Sequence, residues 1–179
     1  MDAELDRILA DDYLDGLTDR SVHELRELRT QCQAVETQLS YLRRMVQGRH
    51  DIVSGEIERR ARGGDPADLG DLVDRLPTIL ADRIHAPGPG RLPTSMEPGE
   101  LHGRLADRLE EITDRVPLEA PSEADDGALV SVASDLHDLE AEVSSFRRLL
   151  FDRIDTLQAE ITRRYRDGEA RVDDLLGGS

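Results

Sequence analysis

Residues 36–60 read ETQLSYLRRMVQGRHDIVSGEIERR, and residues 140–164 read EAEVSSFRRLLFDRIDTLQAEITRR. Superposed at a constant offset of 104 positions, they match Glu36 with Glu140, Ser40 with Ser144, Arg43 with Arg147 and Asp51 with Asp155. Gln47 falls against Phe151. Agreement extends beyond this set: Leu25 with Leu129, Arg44 with Arg148, Arg49 with Arg153, and Glu56-Ile57-x-Arg59-Arg60 with Glu160-Ile161-x-Arg163-Arg164. So long a period is not that of a solenoid and reads as one duplicated long helix. A duplicated core needs to keep only its apolar residues. This one also keeps polar residues, which implies that something polar is held twice.

The hydrophobic spacing sets the fold. Ser21 and Glu24 form a capping box that opens a first long helix over residues 21–62. Its stripe is Leu28, Cys32, Val35, Leu39, Leu42, Val46, Val53 and Ile57, mostly stepping by four and three. Gly63-Gly64-Asp65-Pro66 ends it. The second helix, residues 127–167, carries Val132, Leu136, Leu139, Val143, Phe146, Leu150, Leu157 and Ile161. Each helix is roughly 60 Å long at 1.5 Å per residue. Neither is apolar all round, so each buries its stripe against the other as an antiparallel coiled-coil hairpin. Both stripes stumble, between 46 and 53 and between 150 and 157, where His50 and Ile154 sit. An extra four-residue step there would unwind the supercoil locally.

The fold class is therefore all-α. Residues 1–17 form a short acidic helix with Leu5, Ile8, Leu9 and Tyr13 on one face, either capping the hairpin or reaching toward a partner. Residues 63–126 form an insert: a helix over 67–84 interrupted by Pro77, a Pro/Gly-rich loop over 85–98, a helix over 100–116 and a loop over 117–127. Residues 168–179 form a frayed tail.

Composition narrows the function. Of 179 residues 35% are charged, the net charge is −16, and all 23 basic residues are arginine. Such acidity opposes direct binding to DNA or an anionic membrane, which needs a cation for each phosphate, and favours a basic protein partner. Cys32, the one cysteine, excludes an intrachain disulfide and sits on the seam. No signal peptide or membrane-spanning apolar run is present, so a cytoplasmic location is expected. His23, His50, His85, His102 and His137 are dispersed and offer no zinc site. There is no Walker loop and no G-x-S-x-G. The chain reads as a non-enzyme with no catalytic residues, catalytic cofactor or metal.

The repeated polar residues step by four, three, four and four, within a band about 80° wide beside the seam. They are either ordinary flanking ion pairs or a ligand groove. Serine and glutamine gain little from a surface coil and favour the groove. Arginine offers a planar fork for phosphate or for guanine O6 and N7, and a carboxylate accepts from guanine N1–H and N2–H. Two copies on an antiparallel hairpin are related by an approximate two-fold axis. The expected ligand is a symmetric guanine dinucleotide across the groove.

The spacing Glu-x3-Ser-x2-Arg-x3-Gln-x3-Asp at 36–51 resembles the signature of the RsiG-type anti-sigma factors of actinobacteria. The first copy matches all five positions. The second, at 140–155, matches four and carries Phe151 in place of glutamine. The resemblance covers the two long helices. It implies that cyclic di-GMP is the regulatory ligand, held as a pair of molecules, and that the loaded protein sequesters a flagellar-type sigma factor of the WhiG, sporulation-controlling kind. By that resemblance Arg43 and Arg147 contact phosphate or the guanine Hoogsteen edge, and Asp51 and Asp155 accept from the base. Ser40 and Ser144 bond phosphate or base, Glu36 and Glu140 orient arginine or accept from base, and Gln47 adds a contact. Phe151 either joins the seam, the favoured reading, or stacks on a base. Arg44, Arg148, Arg49 and Arg153 either add positive potential to the groove or are solvated. The competing reading is a coiled-coil scaffold or dimerisation module, with the polar repeat serving only as ion pairs.

Overall fold

The computed structural model describes residues 2–63 and 103–168. The two long helices begin where their caps place them. Helix α2 (Val22–Ala61) starts at Ser21, whose Oγ accepts from the Glu24 N–H at 3.2 Å while the Ser21 N–H donates to the Glu24 carboxylate at 2.6 Å. This reciprocal pair satisfies two backbone donors that a helix start otherwise leaves open. Helix α4 (Asp126–Arg166) starts at Asp125, which accepts from the Gly127 N–H at 2.9 Å. Gly63, at φ +70°, turns the chain out of α2 in a conformation that favours glycine.

α2 and α4 run antiparallel and bury their stripes on each other. Leu25, Cys32, Val35, Leu39, Leu42, Val46 and Val53 face Leu129, Val132, Leu136, Leu139, Val143, Leu150, Leu157 and Ile161 across the seam, all buried. Leu28, Ile57 and Phe146 are only partly buried and pack at its edge. Each fully buried leucine here is worth about 1.5–3 kcal/mol by removal from water, so the stripe supplies most of the driving force.

The seam contains no inserted step. Leu25, Cys32, Leu39, Val46 and Val53 keep a strict interval of seven, and the stumble arises because Arg49 and Arg153 occupy the next seam-edge position. Both are used elsewhere. Arg49 donates to Thr113 at 3.1 Å and to Glu110 at 2.8 Å, and Arg153 donates to the Leu9 and Ala10 carbonyls, each at 3.1 Å. They tie down two short helices, α1 (Asp2–Leu9) and α3 (Arg104–Thr113).

The expected helix over 1–17 is shorter than its pattern. It stops at Leu9, Ala10 adopts ψ 140°, and a tight turn at Asp11–Leu14 swings Tyr13 into the core. Leu5 and Ile8 are fully buried, so this segment covers the hairpin. The expected helix over 100–116 is seen as α3, and a short turn at Pro121–Glu123 precedes α4. The expected helix over 67–84, the loop over 85–98 and the tail from 169 onward lie outside the described residues.

The repeat is larger than one helix. At the same offset of 104, Leu5 and Ile8 of α1 correspond to Leu109 and Ile112 of α3, all buried. The turn Leu17–Asp19 corresponds to Pro121–Glu123, and the cap Ser21 to the cap Asp125. A whole unit of short helix, turn and long helix is duplicated. α1 and α3 meet through Asp2, which accepts from the Arg104 N–H at 2.9 Å, and through Asp6, which pairs with the Arg104 side chain at 2.8 Å. By helical position, the residues they grip (Gln31 through Arg7, Glu142 through Arg108) flank the seam on the side opposite Glu36, Ser40 and Arg43. That leaves the repeated polar band uncovered by the short helices.

Candidate functional site

The register places Glu36 opposite Arg147 and Glu140 opposite Arg43. Arg147 donates Nε–H and an Nη2 hydrogen to one oxygen of Glu36, at 3.2 and 3.0 Å. Arg43 donates Nε–H to Glu140 at 2.7 Å. Each carboxylate also takes the serine one turn along its own helix: Ser40 donates to Glu36 at 2.7 Å and Ser144 to Glu140 at 2.9 Å. Each motif thus supplies its own serine and borrows its arginine from the other copy. Exchanging the two copies exchanges the two clusters, so the approximate two-fold axis passes between them. Gln47 completes the Glu140 cluster, donating at 3.2 Å.

Both clusters are half-buried, with side-chain exposures of 35% for Arg43, 26% for Glu140, 19% for Arg147 and 13% for Glu36. Burial pushes the Glu140 carboxyl upward, but the hydrogen bonds from Arg43 and Ser144 outweigh it and hold the group below its ordinary value. It is therefore ionised, and able to fix an arginine without help from solvent. Arg43 spends only Nε on Glu140, which leaves both of its terminal amino groups outside that bond. The two guanidinium groups are seven residues apart along the hairpin, roughly 10 Å at 1.5 Å per residue. The carboxylates orient these arginines, and the arrangement presents two cationic forks related by a two-fold axis.

The downstream half of the polar repeat does something else. Arg164 donates to Glu160 at 2.8 Å, to the carbonyls of Leu17 and Thr18 at 2.7 and 3.2 Å, and to that of Arg20. Its mate Arg60 donates to Glu56 at 2.6 Å, to the carbonyls of Pro121, Ser122 and Ala124 at 3.2, 3.0 and 2.9 Å, and to Asp126. The glutamate and carbonyl targets also correspond at the offset of 104, whereas Asp126 falls against Val22. Each long helix ends by clamping the turn that precedes the other. The Arg163 and Arg164 guanidinium groups hold the Glu160 carboxyl down to about 2, and those of Arg59 and Arg60 lower that of Glu56. Their targets make this downstream part of the repeat a fold device.

Glu36, Ser40, Arg43, Gln47, Glu140, Ser144 and Arg147 thus converge. Asp51 and Asp155 lie one turn beyond positions 47 and 151, toward opposite ends of the groove, Asp51 half-buried and Asp155 exposed. Arg44 and Arg148 are exposed and make no ion pair among the described residues. Arg49 and Arg153 are neither groove cations nor solvated residues, because they anchor α3 and α1. Cys32 is buried, its Sγ–H donating to the Tyr13 hydroxyl at 3.4 Å, and burial pushes its thiol upward.

Two expectations fail here. Phe151 does not join the seam: it keeps 39% of its surface exposed, with the Arg147 guanidinium 5.5 Å from its ring centre. The seam place is already filled by Leu150 and Ile154, so the register turns Phe151 toward the polar band. The histidines are not all dispersed either. His50 and His137 come together across the hairpin with ring centres 6.4 Å apart, one turn beyond Gln47. The signal was present in the register, since both fall on the band's side of the seam. Among the described residues no group of three or more metal-binding side chains occurs, and no helix is long and apolar enough to cross a membrane.

A guanidinium fixed by a carboxylate beside a serine has the chemistry to meet an anion with flat hydrogen-bonding edges. The comparisons with known proteins bear on the same residues. No curated protein matches the chain. A family model matches residues 11–80 and 115–178, most of the chain, and each matched segment contains one complete copy of the polar band. The chain belongs to the RsiG-like family.

Proposed function

We propose that this chain is a cytoplasmic anti-sigma factor that binds cyclic di-GMP in the groove between Glu36–Asp51 and Glu140–Asp155, and that its loaded form sequesters a sigma factor of the WhiG type. The observation that carries the reading is the crossed pairing, Glu36 with Arg147 and Glu140 with Arg43. It yields two oriented forks about a two-fold axis, which suits a ligand with two phosphodiesters and two guanines related in the same way. Asp51 and Asp155, a turn farther out, are the residues that would accept from guanine N1–H and N2–H on this reading. Family membership supports the anti-sigma role, and a net charge of −16 suits a partner whose surface is built to meet polymerase and DNA.

The scaffold reading is favoured by one observation, that both groove carboxylates already have an arginine partner within the chain. Calorimetry decides between them. Cyclic di-GMP is titrated into the chain alone and into the chain mixed with a WhiG-type sigma factor. Binding heat in either arm that is abolished by Arg43→Ala and by Asp51→Ala supports the nucleotide reading. No heat in both arms, with no nucleotide-dependent association on a sizing column, leaves the scaffold.

A further inference from the structure

The groove is two-fold in its centre but not at its ends. On the Arg43 side the next residue is Gln47, which donates to Glu140, and beyond it stand His50 and His137. On the Arg147 side the same positions hold Phe151 and Ile154, with Gln33 in place of His137. One end carries Gln47 and two histidines, and the other presents the exposed ring of Phe151.

Phe151 is one of two phenylalanines in a chain with 3% aromatic residues, and it keeps 39% of its surface open. Its ring lies beside a guanidinium that Glu36 already fixes by two hydrogen bonds. A flat ring next to an oriented, equally flat cation is a platform for a planar heterocycle.

We infer that Phe151, with Arg147, is a base-stacking platform, so that the two half-sites hold their bases by different forces: hydrogen bonds at the Gln47 end and stacking at the Phe151 end. The inference rests on the nucleotide reading above. It names a residue role in which this chain departs from its own repeat. Stacking tolerates any base because every base has a π face. The ring at Phe151 therefore adds affinity with little discrimination of its own, so that guanine selectivity at that end rests on Asp155 alone, while Gln47 adds a hydrogen-bonding contact at the other end.

The chain has no tryptophan, so Phe151→Trp places a single indole at this position. Its fluorescence is read during titration with cyclic di-GMP, as the difference from the parent chain under the same conditions, with and without a WhiG-type sigma factor. Guanine stacking quenches indole, and saturable quenching is expected at the concentration that gives binding heat. Phe151→Ala is expected to weaken binding by roughly 5- to 150-fold, the range for loss of one base–aromatic stack, with helicity unchanged. Phe151→Gln, which makes the second copy match the first, is expected to raise the preference for cyclic di-GMP over cyclic di-AMP. If the parent binds but the indole is not quenched and Phe151→Ala binds within about twofold of it, the inference falls and the nucleotide reading stands. The same holds if Phe151→Ala loses sigma association at unchanged nucleotide affinity. If no form binds nucleotide in any arm, both fall together.

Discussion

Exchanging Arg43 and Glu140, as the double variant Arg43→Glu/Glu140→Arg, separates an ion pair from a ligand contact. The pair is partly exposed, and Glu140 retains Ser144 and Gln47 as donors when Arg43 is removed. Pairs of this exposure contribute about 0.5–1 kcal/mol, so Arg43→Ala should cost about 1 kcal/mol. The exchange rebuilds the pair in reverse and should lie within about 1 kcal/mol of the parent. Ligand binding responds differently. The exchange removes a guanidinium from α2 and puts a carboxylate where phosphate would sit. A charge-assisted bond of about 2–3 kcal/mol is lost, which is roughly a 30- to 150-fold weaker complex. Urea unfolding measures the first quantity and calorimetry with cyclic di-GMP the second. The reasoning is refuted if the exchanged protein binds within about threefold of the parent. It is equally refuted if Arg43→Ala costs more than about 3 kcal/mol, since the arginine would then be a structural element.

Three further outcomes follow from the clamps. Arg164→Ala should destabilise the fold by about 1–3 kcal/mol, because it removes a buried guanidinium that donates to three backbone carbonyls and is one of the two arginines on Glu160; Arg60→Ala, at a more exposed position, should cost less, and urea midpoints rank the two. The Glu160 carboxyl falls from 4.5 to about 2 on folding, so its contribution is present above about pH 4.5 and is lost as pH falls through 2. The stability gap between the parent and Glu160→Gln should therefore shrink over that range, and a constant gap would contradict the clamp. Arg153→Ala should raise amide exchange across α1 and Arg49→Ala across α3, each leaving the seam of α2 and α4 protected, as hydrogen-exchange mass spectrometry can show.

The hairpin was legible because its information is local and periodic: seven-residue spacing of apolar residues, a capping box at Ser21 and glycine at 63. The arginine-paired carboxylates were legible as a repeated band but not as a geometry. Which arginine meets Glu36 depends on the register between helices more than 100 residues apart, and no step within one helix contains it. The same blindness hid the duplicated short helix. Leu5 and Ile8 match Leu109 and Ile112 in type and offset, but two apolar residues in eight are too weak a signal without the contact that Arg153 and Arg49 make with each copy. Phe151 was misassigned because hydrophobicity was weighed ahead of register. Position 151 is equivalent to Gln47, and the register, set by many leucines, overrides one side chain's preference for burial.

On the proposed reading the polar repeat serves two tasks, and the arginines tell them apart by how much hydrogen-bonding capacity they have left. Arg164 commits Nε, Nη1 and Nη2 to Glu160, Arg20, Leu17 and Thr18, and Arg60 is committed in the same way across the hairpin. Saturated in this manner, a guanidinium fixes the chain and can offer nothing to a ligand. Arg43 commits one nitrogen and Arg147 two, and both stand beside the axis on the face that α1 and α3 leave uncovered. Terminal nitrogens left outside the pair are what the proposed nucleotide reading requires, and Arg43 keeps both of its own outside the bond to Glu140. Because the apolar seam and the clamps hold the fold, positions 47 and 151 are under no obligation to match. One copy could keep a hydrogen-bonding residue while the other took an aromatic ring, without disturbing the two-fold frame that positions both.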